Sequence, residues 1–211
     1  MSKCIIFGAA EFDSLRLPIE EGDLLIAADG GLAHFVGLNR VPDVILGDFD
    51  SLGYGPEGAR VFPVEKDDTD VMLAIRHGLE AGFREFFIYG GMDGKRLDHT
   101  LANLQALSFL RKHDARGFLV GKHQVATVME NETLIFEDGA GILSVFCMGA
   151  PAEGVSIRGM QYQLESSTLT ADFPLGVSNH FIGKKAEISV QNGKLLLIWD
   201  IPGFPKIQTT M

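Results

Sequence analysis

Cysteine is scarce in this sequence. Cys4 and Cys147 are the two thiols in 211 residues, each inside an apolar run ("KCIIFG", "LSVFCMG") and neither in a C-x-x-C arrangement. That excludes a disulfide framework and a zinc knuckle and fits buried free thiols in a reducing compartment. Positive charge is scarce as well. With 18 Lys+Arg against 28 Asp+Glu the net charge is -10, and no basic patch interrupts it, so a nucleic-acid backbone or an anionic membrane would be repelled. No window approaches the roughly 20 apolar residues of a membrane span. The apolar run in "MSKCIIFGAAEFD" is too short for a secretory signal. The expectation is a cytoplasmic protein with neither nucleic acid nor membrane as partner. Internal repeats and low-complexity tracts are missing too, as are H-E-x-x-H, a G-x-S-x-G elbow, and any ligand-spaced cluster among His34, His77, His99, His113, His123 and His180. Zinc hydrolases and serine esterases are thereby disfavoured.

What is present is enough apolar material for a real core, 46% of the residues, in a chain long enough for one large domain or two modest ones. From residue 3 to about 121, short apolar runs ("CIIFG", "LLIAA", "DVILG", "ARVFPV", "EFFIYG", "RGFLVG") alternate with segments of helical period, "GGLAHFVG", "DTDVMLAIRHGLEAG" and "DHTLANLQALSFLRKH". Met72, Ile75 and Leu79 mark one helical stripe; Leu101, Leu104, Leu107 and Phe109 mark another. Thr69 and Asp98 stand at N-cap or first-turn positions, and Gly82 follows a helix end. This alternation predicts an α/β unit with a mostly parallel sheet flanked by helices. After about Lys122 helical periodicity gives way to short alternating segments, which predict a second, all-β unit. In it, Asn192-Gly193 reads as a hairpin turn joining Ile188 and Val190 to Leu195, Leu197 and Trp199, and "GVSIRGMQYQLESSTLTADF" reads as strand, turn, strand.

Polar clusters follow four of the first-unit strands: Asp29-Gly30-Gly31; Gly47-Asp48-Phe49-Asp50-Ser51; Lys66-Asp67-Asp68-Thr69-Asp70; and Gly90-Gly91 through Arg96, Asp98 and His99. In an open parallel sheet the carboxyl ends of the strands form one rim, where ligands bind. Asp48, Asp50 and Asp70 are hard oxygen donors suited to Mg²⁺, and their crowding would raise their pKa values unless a cation offset the repulsion. Lys66 and Arg96 can meet phosphate oxygens. Gly90, Gly91 and Gly94 permit close backbone approach, and a helix opening near Asp98 favours an anion.

Each cluster has a plainer reading. Asp29 before Gly-Gly fits an ordinary turn, and Asp48 with Asp50 serves equally well as turn caps or as metal ligands. Asp67, Asp68 and Asp70 can complement a helix dipole, Arg96 and Asp98 can be a surface ion pair, and His99 a first-turn residue. These readings must hold separately at four places, whereas one site accounts for all four. "GGMDGKR" is not a Walker A loop, because its glycine spacing differs and Arg96 stands where Ser or Thr would hold the metal, and no G-x-G-x-x-G follows the first strand.

The ordered set "ADGG" (28–31), "PDVILGDFDS" (42–51), "KDDTD" (66–70) and "GGMDGKRLDHTLANL" (90–104), with "GVSN" (176–179) and a terminal hairpin after it, resembles the thiamine pyrophosphokinase family over nearly the whole chain. The resemblance implies an α/β catalytic domain binding ATP and Mg²⁺ over residues 1–122 and a β-sandwich thiamine-binding domain over 123–211. It implies a homodimer with its active site at the subunit interface, and transfer of pyrophosphate from ATP to the thiamine hydroxyl, giving thiamine diphosphate and AMP. Asp48, Asp50 and Asp70 match the family's magnesium acids; Asp29, Gly30, Lys66, Asp67, Thr69, Gly90, Gly91, Arg96, Asp98 and His99 match its nucleotide and catalytic surroundings. Ser178 and Asn179 match a thiamine-contacting segment, and Tyr162 falls where relatives often carry an aromatic residue near the thiamine ring. A flat cation is well held by such a ring, although a half-buried strand tyrosine explains Tyr162 equally well.

Gln161 and Gln163 stand where relatives often have Lys and Pro, and Val177 where they have Thr. These departures lie on the acceptor side. Asp29, Asp67 and Asp98 all remain open as proton acceptors. Rival readings are another Mg²⁺-dependent small-molecule kinase or phosphohydrolase, and a nucleotide-sensing module without chemistry.

Overall fold

The computed structural model describes residues 2–47, 60–61, 68–201 and 207–210. The chain divides into two compact units, Met1–Lys122 and His123–Met211.

The first unit runs β1 (Cys4–Phe7), β2 (Leu24–Ala28), α1 (Ala33–Leu38), β3 (Val44–Gly47), β4 (Arg60–Val61), α2 (Asp70–Glu80), β5 (Glu85–Tyr89), α3 (Leu97–Arg111) and β6 (Arg116–Val120). Its strands lie in the order β6-β5-β1-β2-β3-β4, and the pairings are parallel. Strands buried on both faces need apolar residues, which is why β1 is apolar throughout and β5 turns apolar and aromatic after Glu85. Alternation sorts their side chains. Cys4 and Phe86 are register partners facing α2, where Gly78 has no room for a Cβ: one would lie 2.6 Å from Phe86 and 2.8 Å from Cys4 Sγ. Phe7 points the other way, against Phe35 of α1 at 4.9 Å between ring centroids.

The helices form where expected. Thr69 Oγ1 accepts the Met72 N–H at 3.2 Å as N-cap of α2, whose buried stripe is Val71, Ala74, Ile75 and Gly78. Gly82, at φ +93°, follows its end. In α3 the stripe is displaced from the expected one. Asn103, Ala106, Leu107 and Leu110 are buried, whereas Leu101 is 57% exposed. The cause lies on β6, where Gly117 leaves space that Leu107 and Leu110 fill; a Cβ there would lie 2.8 and 2.5 Å from them.

The second unit is all strand: β7 (Gln124–Glu130), β8 (Thr133–Phe136), β9 (Ile142–Cys147), β10 (Ala152–Arg158), β11 (Leu164–Leu169), β12 (Gly176–His180), β13 (Ala186–Ser189), β14 (Lys194–Asp200) and β15 (Ile207–Thr210). The orders β12-β9-β14-β7 and β11-β10-β13-β8-β15 are built from antiparallel pairs. Phe136 from one set meets Trp199 from the other edge-on, with centroids 5.5 Å apart. Both are fully buried, each contributing about 1.5–3 kcal/mol by leaving water.

The expected hairpin at Asn192-Gly193 does not form. β13 pairs with β10 and β8, and β14 pairs with β7 and β9, so the turn carries the chain from one sheet to the other. Both edges of each strand are already occupied, leaving none for the other. The local turn signal was real, since Gly193 sits at φ +113°, but strand pairing elsewhere overrode it.

Candidate active site

The order of the parallel strands places the site. β1 is followed outward by β2, β3 and β4 on one side, while the chain returns to β5 and β6 on the other. The loops leaving β1 and β5 therefore diverge, which is where open α/β sheets take ligands. Here the loops meet main chain to main chain: the Gly8 N–H donates to Tyr89 O at 2.8 Å and the Ala10 N–H to Gly90 O at 2.9 Å. Side chains are excluded from this seam. A Cβ on Gly90, at φ +61°, would lie 2.3 Å from Gly8 O, and one on Gly8 would lie 2.6 Å from Gly90 O.

Beside the seam lies a cleft of about 280 Å³. Gly8, Ala9 and Ala10 line it after β1, Ala28 and Asp29 at the end of β2, Asp70 and Val71 at the start of α2, and Gly90, Gly91, Gly94, Lys95 and Arg96 after β5; His99, Thr100 and Asn103 of α3 complete it. Of the expected residues, Asp29, Asp70, Gly90, Gly91, Arg96 and His99 thus share one wall. Asp29 does belong to a turn, the 3-10 segment Asp29–Leu32, and takes φ +48° there. Gly31 makes that turn possible, since a Cβ on it would meet Phe7 O at 1.8 Å. Gly30 is not part of the lining and stacks on Ala9, and Thr69 acts as the α2 cap. Asp48, Asp50, Lys66 and Asp67 lie outside the described residues. Gly47, directly before Asp48, is so close to Asp29 that a Cβ would lie 3.0 Å from its Cα. Among the described residues no group of three or more His, Cys, Asp or Glu is placed to hold a metal ion.

Arg96 and Asp98 form a two-pronged pair at the mouth, Nε to Oδ1 at 3.2 Å and Nη2 to Oδ2 at 2.5 Å. Those hydrogen bonds hold the Asp98 carboxyl below its ordinary range and raise Arg96. Both side chains are well exposed, so the pair adds little stability. Its consequence is chemical: Asp98 stays ionised and is a weak proton acceptor.

Several lining residues escaped the sequence reading. Gly8, Ala9 and Ala10 carry no polar side chain, and only the strand order reveals them. Lys95 brings a cation beside Arg96. Asn103 is buried and donates from Nδ2 to Gly91 O at 2.9 Å, fixing the β5 loop from below; an amide at a core position of a helix was the available signal.

In the second unit, Tyr162 lies in the turn between β10 and β11 and is 60% exposed, so it is not a half-buried strand residue. Asn179, on β12, is buried. Its Oδ1 accepts the N–H groups of Tyr162 and His180, each at 2.9 Å, and its Nδ2 donates to Tyr162 O at 2.5 Å. Asn179 thus holds the Tyr162 backbone and leaves the ring outward. Ser178 is exposed at φ +60°, its N–H donating to Ser144 Oγ at 3.0 Å.

Fold and cleft together define an α/β unit with a glycine-walled, charge-lined cleft at its switch point, joined in sequence to an all-β unit. The family model for "Thiamin pyrophosphokinase, catalytic domain" matches residues 15–119, and that for "Thiamin pyrophosphokinase, vitamin B1 binding domain" matches 132–195. The chain belongs to the thiamine pyrophosphokinase family. It is 26% identical over 189 residues to the thiamine pyrophosphokinase of Bacillus subtilis (strain 168), covering 85% of this chain and 88% of that relative. The fold is shared with the crystal structure of the Bacillus subtilis enzyme (TM-score 0.82, 24% identity, 95% of this chain and 99% of that one). It is shared also with that of the yeast enzyme (TM-score 0.74, 14% identity, 96% and 88%).

Proposed function

We propose that this transferase moves the pyrophosphoryl group of ATP onto the hydroxyl of thiamine, releasing thiamine diphosphate and AMP. One observation carries the reading: the switch-point cleft sets Asp29, Asp70, Arg96 and His99 against bare glycine backbone. Acids for a hard cation, cations for phosphate, and main chain open to close approach are what a nucleoside triphosphate requires.

The donor chemistry fits Mg²⁺. Asp70 offers a carboxylate in the cleft, and Asp48 and Asp50 follow Gly47, whose backbone abuts Asp29. Held by Asp48, Asp50 and Asp70, the ion would offset phosphate charge. Arg96 and Lys95 line the same cleft and, with Lys66, oppose the charge that builds on the leaving group. The thiamine oxygen bonds to the β-phosphorus as the bond from that phosphorus to the AMP oxygen breaks, and the hydroxyl proton passes to a carboxylate. Of the three candidate carboxylates, Asp29 lines the cleft, whereas Asp98 is strongly paired with Arg96, so Asp29 is the acceptor favoured over Asp98.

On the acceptor side, the Tyr162 ring supplies a face for a flat cation, with Ser178 beside Asn179 on β12. Phe173, Leu175, Val177 and Ile182 are exposed around the same strand, and a second copy of the chain covering them would make the homodimer, with the active site at its interface. No helix among the described residues is long and apolar enough to cross a membrane, and a cytoplasmic location supplies the ATP.

The test is product identity. Incubation with ATP, Mg²⁺ and thiamine should give AMP and thiamine diphosphate on chromatography. ADP with thiamine monophosphate, free phosphate, or no turnover would overturn the reading.

A further inference from the structure

His34 stands on α1, apart from every motif that carried the functional reading, yet it touches the cleft loop. Its Nε2 lies 3.2 Å from Gly8 O and 2.9 Å from Ala10 O. Carbonyl oxygens only accept, so Nε2 carries the proton and donates to both. The ring is fixed by aromatic neighbours, with centroids 5.4 Å from Phe12 and 6.4 Å from Phe7. Two carbonyls converging on one point repel each other unless a donor lies between them, and the backbone seam prevents either from turning away alone. Gly8 and Ala10 are tied through their own N–H groups to Tyr89 and Gly90. Behind them, Gly90 leaves no space, since its Cβ position would be 2.3 Å from Gly8 O and 2.9 Å from Ala10 O.

We infer that His34 is a positioning residue for the nucleotide: its single N–H closes the Gly8–Ala10 loop into the shape that lines the cleft. The inference rests on the reading of that cleft as the ATP site. Without the donor, the loop opens to separate the two oxygens and the lining at Gly8, Ala9 and Ala10 changes shape. His34 makes no contact with the acceptor in this account, so thiamine handling is untouched. A glutamine in its place keeps an N–H donor at similar reach.

The experiment is calorimetric titration of the intact chain with ATP and Mg²⁺ for the wild type, His34→Ala and His34→Gln, alongside steady-state kinetics with thiamine. His34→Ala should weaken ATP binding by about tenfold, the scale of lost hydrogen bonds to part-buried carbonyls. The KM for thiamine should stay unchanged, and His34→Gln should recover most of the ATP affinity. A merely structural histidine would lower the melting temperature while leaving the ATP affinity of the folded fraction at the wild-type value, and glutamine would rescue nothing; that result overturns the inference. If His34→Ala does not fold, His34→Gln binding more than about tenfold weaker than wild type also overturns it. A wild type that binds ATP with the expected variant pattern but makes no thiamine diphosphate refutes the functional reading and upholds the clamp. A wild type that binds no ATP overturns both.

Discussion

The α/β unit and the all-β unit present their functional surfaces by opposite means. At the switch point the surface is hollow because side chains are missing: Gly8 and Gly90 let main chain approach main chain, Gly91 and Gly94 add bare backbone to the lining, and His34 and Asn103 reach in from helices to hold the carbonyls. Around β12 the surface is proud, with Tyr162, Phe173, Leu175, Val177 and Ile182 exposed and Asn179 buried to pin the turn that carries the ring. Both regions use a side chain to fix backbone, but one thereby keeps a hollow lined by charged side chains, and the other leaves an aromatic ring exposed. A charged cleft and a set of exposed apolar side chains should respond differently to substitution and to pH.

The largest effect is expected at the cleft. Asp70→Asn should lower kcat by about a hundredfold or more, as when a group stabilising transition-state charge is lost, with the melting temperature moving by no more than about 3 °C. Retained activity would break the metal assignment. Gly90→Ala tests whether the hollow depends on missing side chains. A Cβ 2.3 Å from Gly8 O at φ +61° should lower the melting temperature by about 5 °C or more and weaken ATP binding, whereas an unchanged variant would show that the seam has slack.

Asn179→Ala sharpens the other side. Its three hydrogen bonds to the Tyr162 turn and His180 disappear, and the KM for thiamine should rise by about tenfold while that for ATP holds. An equal rise in both would mean that the two surfaces are not separable. The smallest effect concerns pH. Lys3 pairs with Asp23 and Glu20 at 3.2 Å each, and the Asp23 side chain has no exposed surface. Burial alone would raise Asp23, but the Glu20 and Lys3 N–H groups and the Lys3 ammonium outweigh it and hold the carboxyl low. Burial likewise opposes the Lys3 charge, and its two carboxylate partners outweigh it and raise the amine. A depressed carboxyl stabilises the fold above its unfolded pKa and loses that contribution as pH falls through its folded one; a raised amine loses its contribution as pH climbs past its folded value. Relative to intrinsic exchange, amide protection in β1 and β2 should therefore fall in acid before that in β14, and Lys3→Met should lessen the difference without abolishing it, because the two N–H donors to Asp23 remain.

How much of this was legible follows from where the information lies. Strands buried on both faces announce themselves as apolar runs, and the polar clusters after them marked the rim, so that Asp29, Asp70, Arg96 and His99 would lie near one another was legible in the sequence. The apolar loop Gly8–Ala10 was passed over because no side chain there bears chemistry. His34 bonds carbonyls 26 and 24 residues away, and no local pattern encodes such a reach. The hairpin at Asn192-Gly193 failed for the same reason. A turn is local, whereas the choice of sheet for β13 and β14 is made by partners far along the chain.

The division of labour between the two surfaces is tested most directly by measuring both Michaelis constants of Tyr162→Ala in one assay. The ring offers stacking and cation-π attraction to the acceptor, so the KM for thiamine should rise by about tenfold while the KM for ATP stays at the wild-type value. An ATP constant that rises as much as the thiamine constant, or a thiamine constant that does not move, would contradict the account.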